Sequence, residues 1–102
     1  MTKTTIMIGL NDKDSKIQEI TTIEAFKIVT RIFADCECGV TITEGMGVYK
    51  HDDGTIITET TLVCVNFGDE LEAIKKACKL IKVALNQEAV AIEVTESNSV
   101  FF

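Results

Sequence analysis

Residues 41–61, Thr-Ile-Thr-Glu-Gly-Met-Gly-Val-Tyr-Lys-His-Asp-Asp-Gly-Thr-Ile-Ile-Thr-Glu-Thr-Thr, hold most of the groups that could meet a ligand. Glu44 and Glu59 can hold or move charge, Tyr49 offers a planar ring, and the threonines supply hydroxyls. The stretch reads as two strands folded back on each other at His51-Asp52-Asp53-Gly54. Pairing Lys50 with Thr55 sets Gly47 opposite Thr58 and Gly45 opposite Thr60, with Tyr49 beside Ile56. Two glycines facing two threonines leave a shallow notch with a hydroxyl floor, and a flat ligand would stack on Tyr49 at its end. The same register puts Glu44 and Glu59 on the opposite face, diagonal to each other, as a coupled pair of carboxylates. A hairpin built only for stability would carry branched apolar residues there. The plainer alternative makes Gly45 and Gly47 bulge sites on an edge strand and leaves both glutamates in water.

Other chemistry finds little support. Gly45-Met46-Gly47 lacks the strand-to-helix setting and the Gly-Lys-Ser/Thr of a phosphate loop. His51, the only histidine, sits in a turn, so no nucleophile–base pair is credible. Cysteines at 36, 38, 64 and 78 lack the paired spacing of a zinc site and read as reduced thiols, with redox sensitivity at Cys36–Cys38 the alternative. No metal and no cofactor are expected.

The formal charge of −6 opposes a nucleic-acid backbone or an anionic membrane as partner. With 102 residues, 46% of them apolar, the chain is expected to form one domain over 1–102 with a real core. No apolar run approaches the roughly 18 residues of a membrane span. Met1–Thr5 lacks a signal-cleavage pattern, so a cytoplasmic location is expected.

The elements that must position these groups follow from periodicity. A strand spans 4–10. Thr21 and Glu24 form a capping box for a helix whose stripe is Ile23, Phe26, Val29 and Phe33, reinforced by Ala25, Ile28 and Ile32. Strands over 40–50 and 55–67 follow, then an Asp69/Glu72 cap. The second helix places Leu71, Ile74, Cys78, Ile81 and Leu85 on one stripe. A last strand spans 89–95. The order βαββαβ predicts an α+β ferredoxin-like two-layer sandwich: an antiparallel four-stranded sheet, order 4-1-3-2, with both helices on one face.

Ile6-Met7-Ile8, Leu62-Val63-Cys64-Val65 and Ala89-Val90-Ala91-Ile92 are apolar front and back, so the open face should be covered. Two helices cannot cover both faces. The expected cover is another subunit, and trimers are common for this topology in PII-like families. The topology also gathers Lys13, Lys16, Lys50, His51, Asn86 and Gln87 at one end. The candidate ligand-binding set is therefore Gly45, Gly47, Tyr49, Lys50, Thr58, Thr60, Asn86 and Gln87.

Glu44 followed by Gly47-Val48-Tyr49-Lys50, a strand containing Glu59, and an Ala/Lys-rich helix leading into 89–94 resemble the phage-type S-adenosylmethionine lyases, historically called hydrolases. The spacing from Glu44 to Gly47 is shorter than in that family. A nearer likeness is to small phage and mobile-element proteins with no assigned activity. The lyase resemblance implies trimers with ligand between subunits, Tyr49 near the adenosyl group, and Glu44 or Glu59 as the carboxylate near the sulfonium. The leading expectation is binding of a nucleotide-like small molecule at subunit interfaces, as a sensor or sequestering protein. A lyase acting on S-adenosylmethionine and an assembly module without ligand are the alternatives.

Overall fold

Six elements follow one another in the computed structural model, which describes all of residues 1–102. They are β1 (Thr2–Gly9), α1 (Thr22–Asp35), β2 (Thr41–Lys50), β3 (Ile56–Phe67), α2 (Leu71–Ala84) and β4 (Ala91–Glu96). The sheet is antiparallel with order β2-β3-β1-β4. This is the ferredoxin-like α+β arrangement, as expected. No helix is long and apolar enough to cross a membrane.

The core lies between the sheet and the helices. Ile6 and Ile8 from β1 and Leu62 and Cys64 from β3 meet Val29 and Phe33 of α1 and Ile74 and Ile81 of α2. Each large side chain buried there contributes about 1.5–3 kcal/mol. The stripe of α2 is buried from Ile74 to Leu85 as its spacing predicts, with Leu71 half-buried. That of α1 is rotated: Ala25, Val29 and Phe33 are buried, whereas Ile23 is 68% and Phe26 45% exposed. Ile23 and Phe26 instead line shallow hollows between α1 and β2, beside Ile42.

Caps explain the helix ends only in part. The Thr21 hydroxyl accepts from the Glu24 amide at 3.1 Å, as the capping box requires. Asp69 does not cap α2. The cap position is Glu70, without a side-chain bond, and the Asp69 carboxylate instead accepts from the Gly39 amide at 3.3 Å and from Asn66. Asn66 is buried and its Nδ2 also donates to the Gly39 carbonyl at 2.7 Å, so this trio ties the α1–β2 connection to the end of β3.

The hairpin register differs from expectation by one residue. Lys50 pairs with Ile56, so Tyr49 faces Ile57, Gly47 faces Glu59 and Gly45 faces Thr61. The cause is the turn. His51 donates to the Thr55 carbonyl at 2.8 Å, leaving Asp52-Asp53-Gly54 as a three-residue loop with Gly54 at φ 91°. That is the geometry of a type I turn closed by a left-handed glycine. A slip of one residue turns every β3 side chain to the other face.

Candidate functional site

The slip reassigns the hairpin's two faces. Away from the helices lie Gly45, Gly47 and Tyr49 of β2 with Ile57, Glu59 and Thr61 of β3. Toward the helix side lie Glu44, Met46, Val48 and Lys50 with Ile56, Thr58, Thr60 and Leu62. Thr58 and Thr60 therefore do not join Tyr49, and the floor expected from them is absent from its face; Lys50, next to Tyr49 along β2, lies on the other face in either register. Glu44 and Glu59 are on opposite sides of the sheet and form no pair.

β3 runs on past the end of β1, and the loop after β1 folds along it. The ladder closes with the Leu10 amide on the Thr60 carbonyl at 2.9 Å. The next amide, Asn11, turns to a side chain and donates to Glu59 Oε2 at 2.9 Å. Between this loop, the hairpin and the segment after α2 lies a cleft of about 540 Å³. Its walls include Tyr49, His51, Ile57 and Glu59 from the hairpin, Asn11, Lys13 and Lys16 from the loop, and Gln87 and Glu88 after α2.

Each wall is fixed by an identifiable contact. The rings of Tyr49 and His51 meet nearly at right angles, 87°, with centroids 5.8 Å apart, while Tyr49 stays 46% exposed. Asp12 folds the loop by accepting from the Asp14 and Ser15 amides at 2.9 and 3.1 Å. Asn86, at φ 48°, donates to Asp12 Oδ1 at 2.8 Å and Asp14 Oδ2 at 2.9 Å, clamping the loop to the end of α2. The Asn86 bond, then those of Ser15 and Asp14, hold the Asp12 carboxyl below its usual range. Buried Gln87 donates to the Asn11 and Leu85 carbonyls at 2.9 and 3.2 Å. Thus Asn86 and Gln87, expected as ligand groups, spend their amide hydrogens on the scaffold of the cleft.

Of the residues the topology gathers at this end, Lys13, Lys16, His51 and Gln87 line the cleft and Lys50 and Asn86 do not; Asn11, Ile57 and Glu88 line it without having been singled out as ligand groups. Sequence reasoning also missed Gly9, over which the Glu59 carboxylate lies. The signal for Gly9 was present, since a glycine inside an apolar strand marks close approach of another group.

The arrangement offers a flat ring for stacking, an anchored carboxylate and two lysines that pair with no carboxylate. No group of three or more His, Cys, Asp or Glu side chains is gathered for a metal. The four cysteines are free thiols. A separate hollow of about 310 Å³ between α1 and β2, lined by Phe26, Phe33, Val40 and Ile42, is apolar and has no convergent polar groups.

No protein-family model and no curated protein matches this chain. Solved structures do. The fold superimposes on a phage SAM lyase in complex with S-methyl-5′-thioadenosine with a TM-score of 0.68, at 21% identity, over 93% of this chain and 80% of that one. The apo state of a phage SAM lyase gives 0.64 at 19%, over 92% and 78%. The periplasmic divalent cation tolerance protein CutA from Archaeoglobus fulgidus gives 0.60 at 15%, over 97% and 87%. The chain therefore shares the fold of the phage lyases and of CutA.

Proposed function

We propose that this chain is a cytoplasmic protein that binds a nucleotide-like small molecule in the cleft between Tyr49 and Glu59, acting as a sensor or sequestering protein. The observation that carries the reading is the register of the hairpin, which sets Tyr49 and the anchored Glu59 on one face. The cleft volume of about 540 Å³ lies within the range of small-molecule sites, roughly 300–1,000 Å³. A half-exposed Tyr49, braced by His51, suits a stacked base.

The reading includes a homo-oligomer, with a trimer favoured by analogy to PII-like assemblies. Met7, Val63, Val65 and Phe67 share the face that the helices leave open. A second subunit there would cover them and wall the cleft. Light scattering tests this directly: a mass equal to one chain at micromolar concentration contradicts it.

The ligand test is a melting-temperature screen with nucleotides, cyclic dinucleotides, adenosine diphosphoribose derivatives and S-adenosylmethionine, followed by recovery of the bound compound. At a hundredfold excess over Kd a ligand adds about 2.7 kcal/mol of stability. A flat response across the panel favours an assembly module without ligand.

A lyase acting on S-adenosylmethionine is the second reading, favoured by Glu59 standing on the Tyr49 face as well as by the fold. In that reaction the substrate's own carboxylate attacks Cγ, a C–O bond forms, the C–S bond breaks, and its electron pair goes to sulfur. The products are S-methyl-5′-thioadenosine and homoserine lactone, and no proton is gained or lost. Positioning supplies the rate, which is why a site without a histidine base suffices. Glu59 would best hold the ammonium, whose charge persists, because stabilising the sulfonium would oppose its loss. Glu44, across the sheet, has no part in this reading. Formation of both products, lost in Glu59→Gln, would select the enzyme.

A further inference from the structure

The sheet ends in two unpaired edges, β2 and β4. Neither strand contains proline, and both meet their inner neighbours in an unbroken register without a bulge. Natural edges often carry such guards, because a row of bare amides and carbonyls invites another strand. The pairing directions make β2 and β4 antiparallel to each other. A second copy that continues the sheet, with its helices on the same side, therefore meets β4 with its own β2 in the more stable antiparallel sense. Two apolar features lie at the end of the sheet where β4 finishes and β2 begins. One is the hollow of about 310 Å³ walled by Phe26, Phe33, Val40 and Ile42. The other is the tail Val100-Phe101-Phe102, exposed throughout. Phe101 meets Phe67 edge-on at 6.1 Å, yet 69% of it stays in water.

We infer that Val100-Phe101-Phe102 of one copy fills the α1–β2 hollow of the next, where β4 abuts that copy's edge strand β2. This rests on the reading of the protein as a homo-oligomer. The tail cannot serve its own hollow, which lies three strand spacings from β4, about 14 Å, with the helices packed on the sheet between them. In the next copy the hollow is one spacing away, and residues 97–102 reach about 20 Å when extended. The chemistry matches as well. The hollow has no convergent polar groups, and the three tail side chains carry neither charge nor hydrogen-bonding atoms. Val94, on the helix side of β4 opposite Thr4 and 46% exposed, is covered at the same junction. Edges joined in a closed ring turn the open faces inward, so the contact is continuous with the cover proposed for Met7, Val63, Val65 and Phe67.

The chain has no tryptophan, so Phe101→Trp supplies a lone fluorescent reporter on the tail. Where light scattering shows assembly, its emission should lie well to the blue of its emission in urea. Thr30→Glu, on the exposed face of α1 at the wall of the hollow, should return that emission to the red in the folded protein. It should also raise the dissociation constant of the assembly about tenfold or more. Mixing decides which copy receives the tail. A chain carrying both Phe101→Trp and Thr30→Glu should regain blue emission when excess wild-type protein supplies open hollows. If Thr30→Glu fails to fold, Ala34→Glu on the same wall takes its place. Blue emission that the glutamate leaves unchanged, red emission from the assembled Phe101→Trp protein, or no recovery on mixing each overturns the inference and leaves the homo-oligomer standing. A single-chain mass at micromolar concentration overturns both.

Discussion

Gly47 and Glu59 are direct cross-strand partners, so the Glu59 side chain leaves the sheet beside a residue that has none. The pairing opens the cleft toward Tyr49. A Cβ at position 47 would come within 3.2 Å of Thr61 Oγ1, a contact that a small shift of the Thr61 side chain relieves at some expense to its 3.2 Å bond to the Glu59 carbonyl. Gly47→Val should thus fold, with a stability change of about 1 kcal/mol or less in a strand that favours valine. It should lose the melting-temperature response to ligand. A valine variant that still responds would move the ligand away from this face.

Tyr49→Ala removes the stacking surface without opening the core. Because Tyr49 is half-exposed, the cost in urea unfolding should be about 1 kcal/mol, well short of the roughly 3–5 kcal/mol of a buried aromatic. Ligand response should vanish while the solution mass is unchanged. Loss of assembly instead would make Tyr49 an interface residue.

Gly54 sets the register on which the site depends. Nothing lies within 4 Å of a Cβ placed there, yet φ is 91°. The cost of Gly54→Ala is then conformational alone, about 1–2 kcal/mol, read as a lower urea midpoint at constant m. A variant of unchanged stability would mean the turn is not held in this geometry.

The thiols should divide into two classes. Burial pushes Cys64 up to about 12 and Cys78 up to about 11, and burial followed by the Asp69 charge raises Cys38. At pH 8 a thiol reagent should modify Cys36 first, with Cys38, Cys64 and Cys78 reacting only on unfolding. Mass spectrometry of partly labelled protein reads the order, and early labelling of Cys64 would contradict the packing.

Periodicity carried the fold because the groups it reads are local. The stripe of α2, the Thr21 cap and the order of elements each depend on neighbours a few residues apart. The site was legible only in outline. Lys13, Lys16, His51 and Gln87 were gathered by topology, which does not depend on register. Thr58, Thr60 and Glu59 were assigned by register, and a turn of three residues instead of four exchanged them between faces. Asn86 and Gln87 look like free amides in a sequence, and only the folded loop shows their hydrogens already committed. Asp69 likewise resembles a cap until Gly39 and Asn66 approach it from distant segments.

The location of the ligand is tested most directly by nitrogen–proton NMR spectra recorded during titration with S-methyl-5′-thioadenosine. Saturable shifts are expected at Asn11, Tyr49, His51, Glu59 and Gln87, the walls of one cleft. Shifts confined to Phe26, Phe33 and Ile42 between α1 and β2, or none at millimolar ligand, would contradict it.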